Sequence, residues 1–338
     1  MAAGTRPSDI RLDSPFSVGG LTIPNRILLA PMSGVTDLPF RRRAISAGIG
    51  LAPAEMVASG ELQRDRAESL RRIKGQGSAL RAVQLVGRDA ETMGIAARRL
   101  ADEGIQIIDI NMGCPAKKVT GGACGAALMT EPDRALRIVE HVRFSAGTAQ
   151  VSVKMRLGWN HDQLNAAALA RRFADAGVSM ITVHGRTREQ RYAGRADIDA
   201  IAGVRQAVPE IAFVANGDVT SRCEALRMLH RTGADAVMIG RAHYGQPYLA
   251  AHLLENGLAP GPSILFDYIA EHYEDMLIEY GSQRGRRHAR KHLGWYLDRL
   301  RPHTDAALRQ SILTAQEPEE TLARLAEAFA STPMEEAA

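Results

Sequence analysis

The chain is predicted to be an α/β protein, a (β/α)8 barrel followed by a small helical bundle, on three observations. Short β-rich runs alternate with helical patterns eight times between Asn25 and Leu258. No GxGxxG turn follows the first run, although a doubly wound dinucleotide-binding sheet usually carries one there. From about Ser263 onward the β pattern stops and only helical patterns follow. Parallel neighbours need a long crossover between them, and helical segments supply it.

The eight strands are predicted at NRILLAPM (25–32), GLAPAEMV (50–57), RAVQLVG (81–87), IQIIDINMG (105–113), AQVSVKMR (149–156), VSMITVHG (178–185), EIAFVANG (210–217) and ADAVMIG (234–240). Between them lie segments rich in Ala, Arg and Leu, such as ETMGIAARRLADEG and LNAAALARRFADAG. Each closes on a glycine, the residue that best ends a helix. Gly257, Pro260, Gly261 and Pro262 mark a linker. The expected division is therefore a barrel domain over 1–258 and a helical domain over 263–330. The closing STPMEEAA is expected to fray.

Composition narrows the class. With 338 residues, 45% hydrophobic and 24% charged, the chain fits an ordinary folded protein and not a disordered one. No apolar run approaches the roughly 18 residues that span a bilayer, so no membrane segment is expected. The opening MAAGTRPSDIRLDSPF has no apolar core of the kind a secretory signal needs. Cys114, Cys124 and Cys223 include no CxxC pair, so neither a disulfide framework nor a structural metal is expected. The expected compartment is the reducing cytoplasm, and the expected state is a monomer, since no separate association motif is visible. The net charge of +4 is mild but uneven. From Gly281 to His303 seven Arg or Lys residues face one acidic residue, a local +6, which leaves −2 on the remainder.

A (β/α)8 enzyme keeps its chemistry at the C-terminal ends of its strands. Side chains alternate faces with period two. Val151, Val153 and Met155 therefore face the surrounding helices, while Ser152, Lys154 and Arg156 face inward. The same parity groups Thr182 with His184, Asp109 with Asn111 and Val214 with Asn216. A polar strand end can simply meet solvent, but coincident cases at one rim point to a ligand. Lys154 is the sharpest case, because an inward ammonium needs an anionic or electron-rich partner. The Asn216-Gly217-Asp218 turn after strand seven and Gly240-Arg241 after strand eight form the usual phosphate site of this fold.

The run DINMGCPAKKVTGGACGAALM (109–129) is the most informative stretch. Cys114 precedes Pro115, which holds it extended at the head of a long loop. A positioned thiol above a pocket can act as nucleophile, acid or base. Cys223, inside the helical CEALRMLHR, reads instead as a buried inert thiol. Gly121, Gly122 and Gly125 suggest a loop able to close over a substrate.

These residues resemble the tRNA-dihydrouridine synthases, a TIM-barrel family, and especially the bacterial DusB branch. The matching stretches are LAPMSGVTDLPFR (29–41), VQLVG (83–87), DINMGCPAKKV (109–119), VKMRLGW (153–159), VHGRTREQRYAG (183–194), VANGDV (214–219), ADAVMIGRA (234–242) and ARKHLGWY (289–296). The resemblance implies an FMN enzyme that reduces uridine to dihydrouridine in the D-loop region of tRNA, with NADPH or NADH re-reducing the flavin. It implies that Pro31, Met32 and Ser33 line the flavin ring, that Gln84 hydrogen-bonds it and that Lys154 and His184 also serve it. Asn216, Gly217, Asp218, Gly240 and Arg241 would hold its phosphate, and Asn111 and Arg156 fit the pocket for the target uracil. Cys114 matches the catalytic cysteine: hydride reaches C6 of the uracil, and the thiol delivers a proton to C5. A thiol suits that role better than a carboxylic acid, which is usually ionised near neutral pH.

RGRRHARKHLGWYLDRLR reads as a helix in which Arg284, Arg287 and Lys291 form a stripe with Arg290 beside it. Such a stripe can contact phosphates and fix an RNA without reading its sequence. A solvated charged face is the plainer alternative. Two other functions compete. One is a flavin oxidoreductase of a free pyrimidine, similar to the dihydroorotate dehydrogenases, which has no need of a basic helix. The other is an RNA-binding or regulatory protein whose barrel performs no redox chemistry.

Overall fold

The computed structural model describes residues 10–75 and 80–330. The expected fraying at 331–338 and the first nine residues of the N-terminal segment lie outside them. The chain forms two compact units. One holds the described chain up to Ser33 together with Ile49–Gly240, and the other holds Gly34–Gly48 together with the described chain from Arg241 onward.

The first unit is the barrel. A hairpin of β1 (Phe16–Val18) and β2 (Leu21–Ile23) precedes eight parallel strands: β3 (Ile27–Leu29), β4 (Ala54–Ala58), β5 (Ala82–Val86), β6 (Ile107–Met112), β7 (Gln150–Arg156), β8 (Met180–His184), β9 (Ala212–Asn216) and β10 (Ala236–Ile239). Each of the eight lies in its predicted window, β4 running one residue past it. Their order is β3-β10-β9-β8-β7-β6-β5-β4. The ring closes between β3 and the residues leading into β4, where Leu28 bridges Leu51 in parallel. There the Leu29 N–H donates to Leu51 O at 2.9 Å, and the Gly50 N–H donates to Ile27 O at 2.8 Å. Closure removes the exposed edges an open sheet would carry. The expected glycines, Gly104 and Gly177, follow helices Ala90–Asp102 and Ala166–Asp175 within two residues.

The predicted parity of β7 holds. Val151, Val153 and Met155 are fully buried on the helix side, while the Ser152 hydroxyl donates to a carboxylate of neighbouring β6. Towards the N-terminal ends of the strands the interior is apolar, with Ile107, Met180, Ala212 and Val214 clustered against Phe16, Val18 and Ile23 of the hairpin. The hairpin thus plugs that end of the barrel. Each of these buried side chains larger than alanine contributes about 1.5–3 kcal/mol. Its signal is present in the sequence as FSV-GG-LTI, two alternating runs around a Gly-Gly turn, and the strand-helix count passes over it.

The second unit is helical: Leu38–Ser46, Leu249–Leu254, Leu265–Tyr280, Ser282–Leu300, Ala306–Thr314 and Pro318–Ala330. Its core includes Ile269, Tyr273, Met276, Leu293, Tyr296, Leu297, Ile312 and Leu325. This corrects the expected division at 258. Helix Leu38–Ser46, which follows the first barrel strand, groups with the bundle because its side chains find their partners there. Phe40 packs against the rings of His272 and His292, and Arg43 pairs with Asp275 at 2.6 Å. Tyr248 and Ala251, expected in the barrel domain, cluster with Ala47 and Leu265.

A second correction concerns Cys223, which is exposed. It is the second residue of helix Arg222–Thr232, whose buried stripe is Ala225, Met228, Leu229 and Thr232. Among the described residues no helix is long and apolar enough to cross a membrane.

Candidate active site

Polar side chains converge at the C-terminal ends of β5 to β9. Lys154, near the end of β7, reaches over β8 so that its Nζ donates to Asn216 Oδ1 at 2.9 Å. The Asn216 Nδ2 donates onward to Met238 O at 2.7 Å, which ties the end of β9 to β10. The hydrogen-bond partner of this ammonium is a neutral amide, and burial pushes the Lys154 pKa down to about 8, aided by the nearby Arg156. Asp109 and Cys114 pull in the opposite direction. The inward cation is present, and among the described residues no carboxylate is hydrogen-bonded to it.

Cys114 is half-buried just beyond β6. Its backbone N–H donates to Asn111 Oδ1 at 2.9 Å, and the Gly113 N–H reaches the same oxygen at 3.2 Å. The Cys114 carbonyl accepts from Ala126 N at 3.2 Å, which pins the far side of the loop. Gly125 permits that return: its φ is +61°, and a Cβ there would stand 3.0 Å from the Cys114 carbonyl oxygen. Asn111 thus acts on the loop that carries the thiol, while its Nδ2 donates to Gln84 Oε1 at 2.7 Å.

Arg156 is buried and holds loops together. Its Nε donates to Gly113 O at 2.7 Å, and its Nη1 donates to Thr187 O and Arg191 O at 2.7 and 2.9 Å. One guanidinium joins the cysteine loop after β6 to the loop after β8. His184 closes β8, with its Nε2 3.4 Å from Nη1 of Arg186.

The NGD turn after β9 is built around a glycine that the local backbone requires. Gly217 has φ +144°, and a Cβ there would come within 2.4 Å of the Ala196 Cβ, so only glycine fits. The Asp218 carboxylate, however, is engaged by the protein. It accepts from Arg186 Nη1 and Nη2 at 2.9 and 2.7 Å and from Ala196 N at 2.8 Å. Asp218 can serve an anion only through its backbone. At the end of β10, a Cβ on Gly240 would lie 3.4 Å from Met32 Sδ and 3.6 Å from the Ala30 Cβ, so Gly240 and Met32 share one wall. Pro31 and Met32 are half-buried and Ser33 is exposed on the segment leaving β3. Arg241, exposed, opens the second unit.

Sequence reasoning missed Arg186, which is 2% exposed and also donates to Ala193 O and Gly194 O. Its signal was available, because it continues the inward parity of Thr182 and His184. Asp109 and Ser152 lie on the inner face that parity predicts, and parity alone assigns them no role.

In the second unit, helix Ser282–Leu300 forms as predicted. Arg284, Arg287 and Arg290 are exposed along it, and Lys291 is half-buried. Arg284 lies over the Tyr280 ring at 5.7 Å. Arg286, off this stripe, is tied to Ala315 O at 2.9 Å. Leu293, Tyr296 and Leu297 on the opposite face enter the bundle core, which orients the arginines outward.

Residues 28–333 match the family model described as dihydrouridine synthase (Dus). The chain is 49% identical over 305 residues to a probable tRNA-dihydrouridine synthase of Rhizobium leguminosarum bv. phaseoli, covering 90% of this chain and 95% of that one. It is 48% identical to a probable tRNA-dihydrouridine synthase of Rhodobacter capsulatus, covering 93% and 98%. With the tRNA-dihydrouridine synthase B of Xanthomonas campestris pv. campestris the identity is 42%, over 91% and 94%. Among solved structures, a variant of NCR from Zymomonas mobilis aligns with a TM-score of 0.54 at 17% identity, over 75% of this chain and 94% of that one. A 2-naphthoyl-CoA reductase complex aligns with a TM-score of 0.60 at 11% identity, over 73% and 52%. At such identities the two structures speak for the fold alone.

Proposed function

The chain belongs to the dihydrouridine synthase family, and from that premise we propose that it reduces uridine to 5,6-dihydrouridine in tRNA, with FMN as cofactor and NADPH or NADH as reductant. The observation that carries this reading is a half-buried thiol on a tethered loop, beside a glycine-containing turn and an ammonium whose hydrogen-bond partner is an amide.

These residues fit a flavin phosphate and ring. Gly240 keeps backbone bare beside Met32 and Ala30, and Gly217 permits the turn of φ +144° packed against Ala196. Lys154 has a charged nitrogen disfavoured by burial, which an electron-rich ring edge would stabilise. Asn216, Gly217, the backbone of Asp218 and Gly240 would hold the phosphate, with Arg241 supplying a cation. Met32 with Pro31 and Ser33 would line the ring, and Gln84 and His184 would contact its polar atoms.

When bound and reduced, FMN supplies a hydride to C6 of the uracil. Cys114 then provides the proton: its S–H bond breaks as the C5–H bond forms, and water reprotonates the thiolate. Asn111 holds the cysteine loop against this task, and Arg156 joins it to the loop after β8. The uracil must leave its stack to reach the thiol, which costs a few kcal/mol. Arg284, Arg287, Arg290 and Lys291 would meet the tRNA backbone and help offset that cost.

The test uses the purified protein with its flavin, NADPH and unmodified tRNA. Wild type should form dihydrouridine, whereas Cys114→Ala should keep bound FMN and its reduction by NADPH yet lose product. Wild-type product from Cys114→Ala would overturn the cysteine's role. Turnover of free uridine or dihydroorotate at rates matching tRNA would favour a free-pyrimidine enzyme.

A further inference from the structure

Below the cysteine loop, four side chains form a buried hydrogen-bond chain with a defined direction. The Ser152 hydroxyl donates to Asp109 Oδ1 at 2.6 Å, and Gln84 Nε2 donates to Asp109 Oδ2 at 2.6 Å. Asn111 Nδ2 then donates to Gln84 Oε1 at 2.7 Å, and Asn111 Oδ1 accepts the Cys114 N–H at 2.9 Å. Asp109, Gln84 and Asn111 are 5%, 1% and 8% exposed, and Ser152 is fully buried, so water does not compete for these groups.

A carboxylate only accepts, whereas an amide accepts on one side and donates on the other. Asp109 therefore compels Gln84 to turn its Nε2 downward, which leaves Oε1 to face Asn111. Asn111 must answer with Nδ2, which leaves Oδ1 as the acceptor for Cys114. Without the carboxylate, both amides could turn over, and Asn111 would then present donors to a backbone donor. We infer that Asp109 is a positioning residue that sets the orientation of Gln84 and Asn111 and thereby the station of Cys114. This rests on the proposed role of Cys114 as proton donor. It also explains an otherwise costly feature, a carboxylate buried in a barrel interior. Burial pushes the Asp109 pKa up, and the Ser152 and Gln84 donors and the Lys154 ammonium oppose that rise.

The test is Asp109→Asn in the flavin-loaded protein, alone and combined with Gln84→Glu. The single substitution keeps the shape but replaces an acceptor-only group with one that carries a donor arm, so nothing any longer compels Gln84 to turn its Nε2 downward. The pair moves the carboxylate one step along, from position 109 to position 84. There it accepts both from the amide introduced at position 109 and from Asn111, so Asn111 keeps its orientation. In Asp109→Asn the single-turnover reduction of tRNA should slow about 100-fold, the scale of a misplaced reacting group. Alkylation of Cys114 by iodoacetamide, followed on its own peptide with exposed Cys223 as internal reference, should rise about tenfold as the loop loosens. The double variant should return alkylation of Cys114 to near the wild-type rate. Wild-type tRNA reduction and alkylation in Asp109→Asn would overturn the inference. So would a folded double variant whose alkylation matches that of the single one. Failure of wild type to make dihydrouridine would instead sink the proposed function, and the alkylation arm would still judge the chain's direction.

Discussion

Lys154 shows how one side chain balances stability against binding. Burial lowers its pKa from 10.5 to about 8, so between those values the unfolded chain binds more protons than the folded one. Stability must then rise with pH across that window, and below pH 8 the ammonium costs the folded state. Lys154→Met should therefore stabilise the flavin-free protein at pH 7 by about 1–3 kcal/mol, and the gain should fade towards pH 10.5. Urea unfolding at pH 7 and pH 10 checks this; an equal gain at both would refute it. At this scale the sequence was legible wherever parity sufficed, as for Lys154 and Asn216. It was not legible for Asp218, whose carboxylate is claimed by Arg186, because that pairing joins residues 32 positions apart.

Among the elements, helix Ser282–Leu300 carries the clearest division of labour. Its core face anchors it in the bundle, and its opposite face presents Arg284, Arg287 and Arg290. If those three meet phosphates, replacing all of them with Ala should lower the slope of log affinity against log salt for tRNA by about 2 to 3. Flavin content should not change. A salt slope equal to that of wild type, measured by filter binding across a salt series, would leave the stripe as a solvated face. The helix and its stripe were readable from spacing alone. The N-terminal hairpin was written just as plainly, but its role as a plug was not, since Phe16 and Ile23 meet Ile107, Met180 and Ala212 only after the barrel closes.

At the scale of the molecule, acid should strike the helical unit. His272 and His292 sit together with Phe40 and Tyr296, both buried, and His272 Nδ1 lies 2.9 Å from the Tyr296 hydroxyl. Burial pushes the His292 pKa down to about 3 and lowers that of His272 well below its usual value. The unfolded chain binds more protons below pH 6.5, so stability falls with pH there by about 1.4 kcal/mol per pH unit for each histidine. His292→Leu should flatten that fall, as thermal unfolding at pH 7 and pH 5 would show; an unchanged pH dependence would exclude this histidine. The sequence by itself determined the eight-strand barrel, the helical extension, the cysteine loop and the family, because periodicity, turn residues and motifs are local. Only the tertiary structure decided that helix Leu38–Ser46 groups with the bundle, that Arg186 takes the Asp218 carboxylate, and that Asp109 leads through Gln84 and Asn111 to Cys114. Those outcomes depend on which distant side chains can satisfy a buried charge or ring, and that choice exists only once the strands are in register.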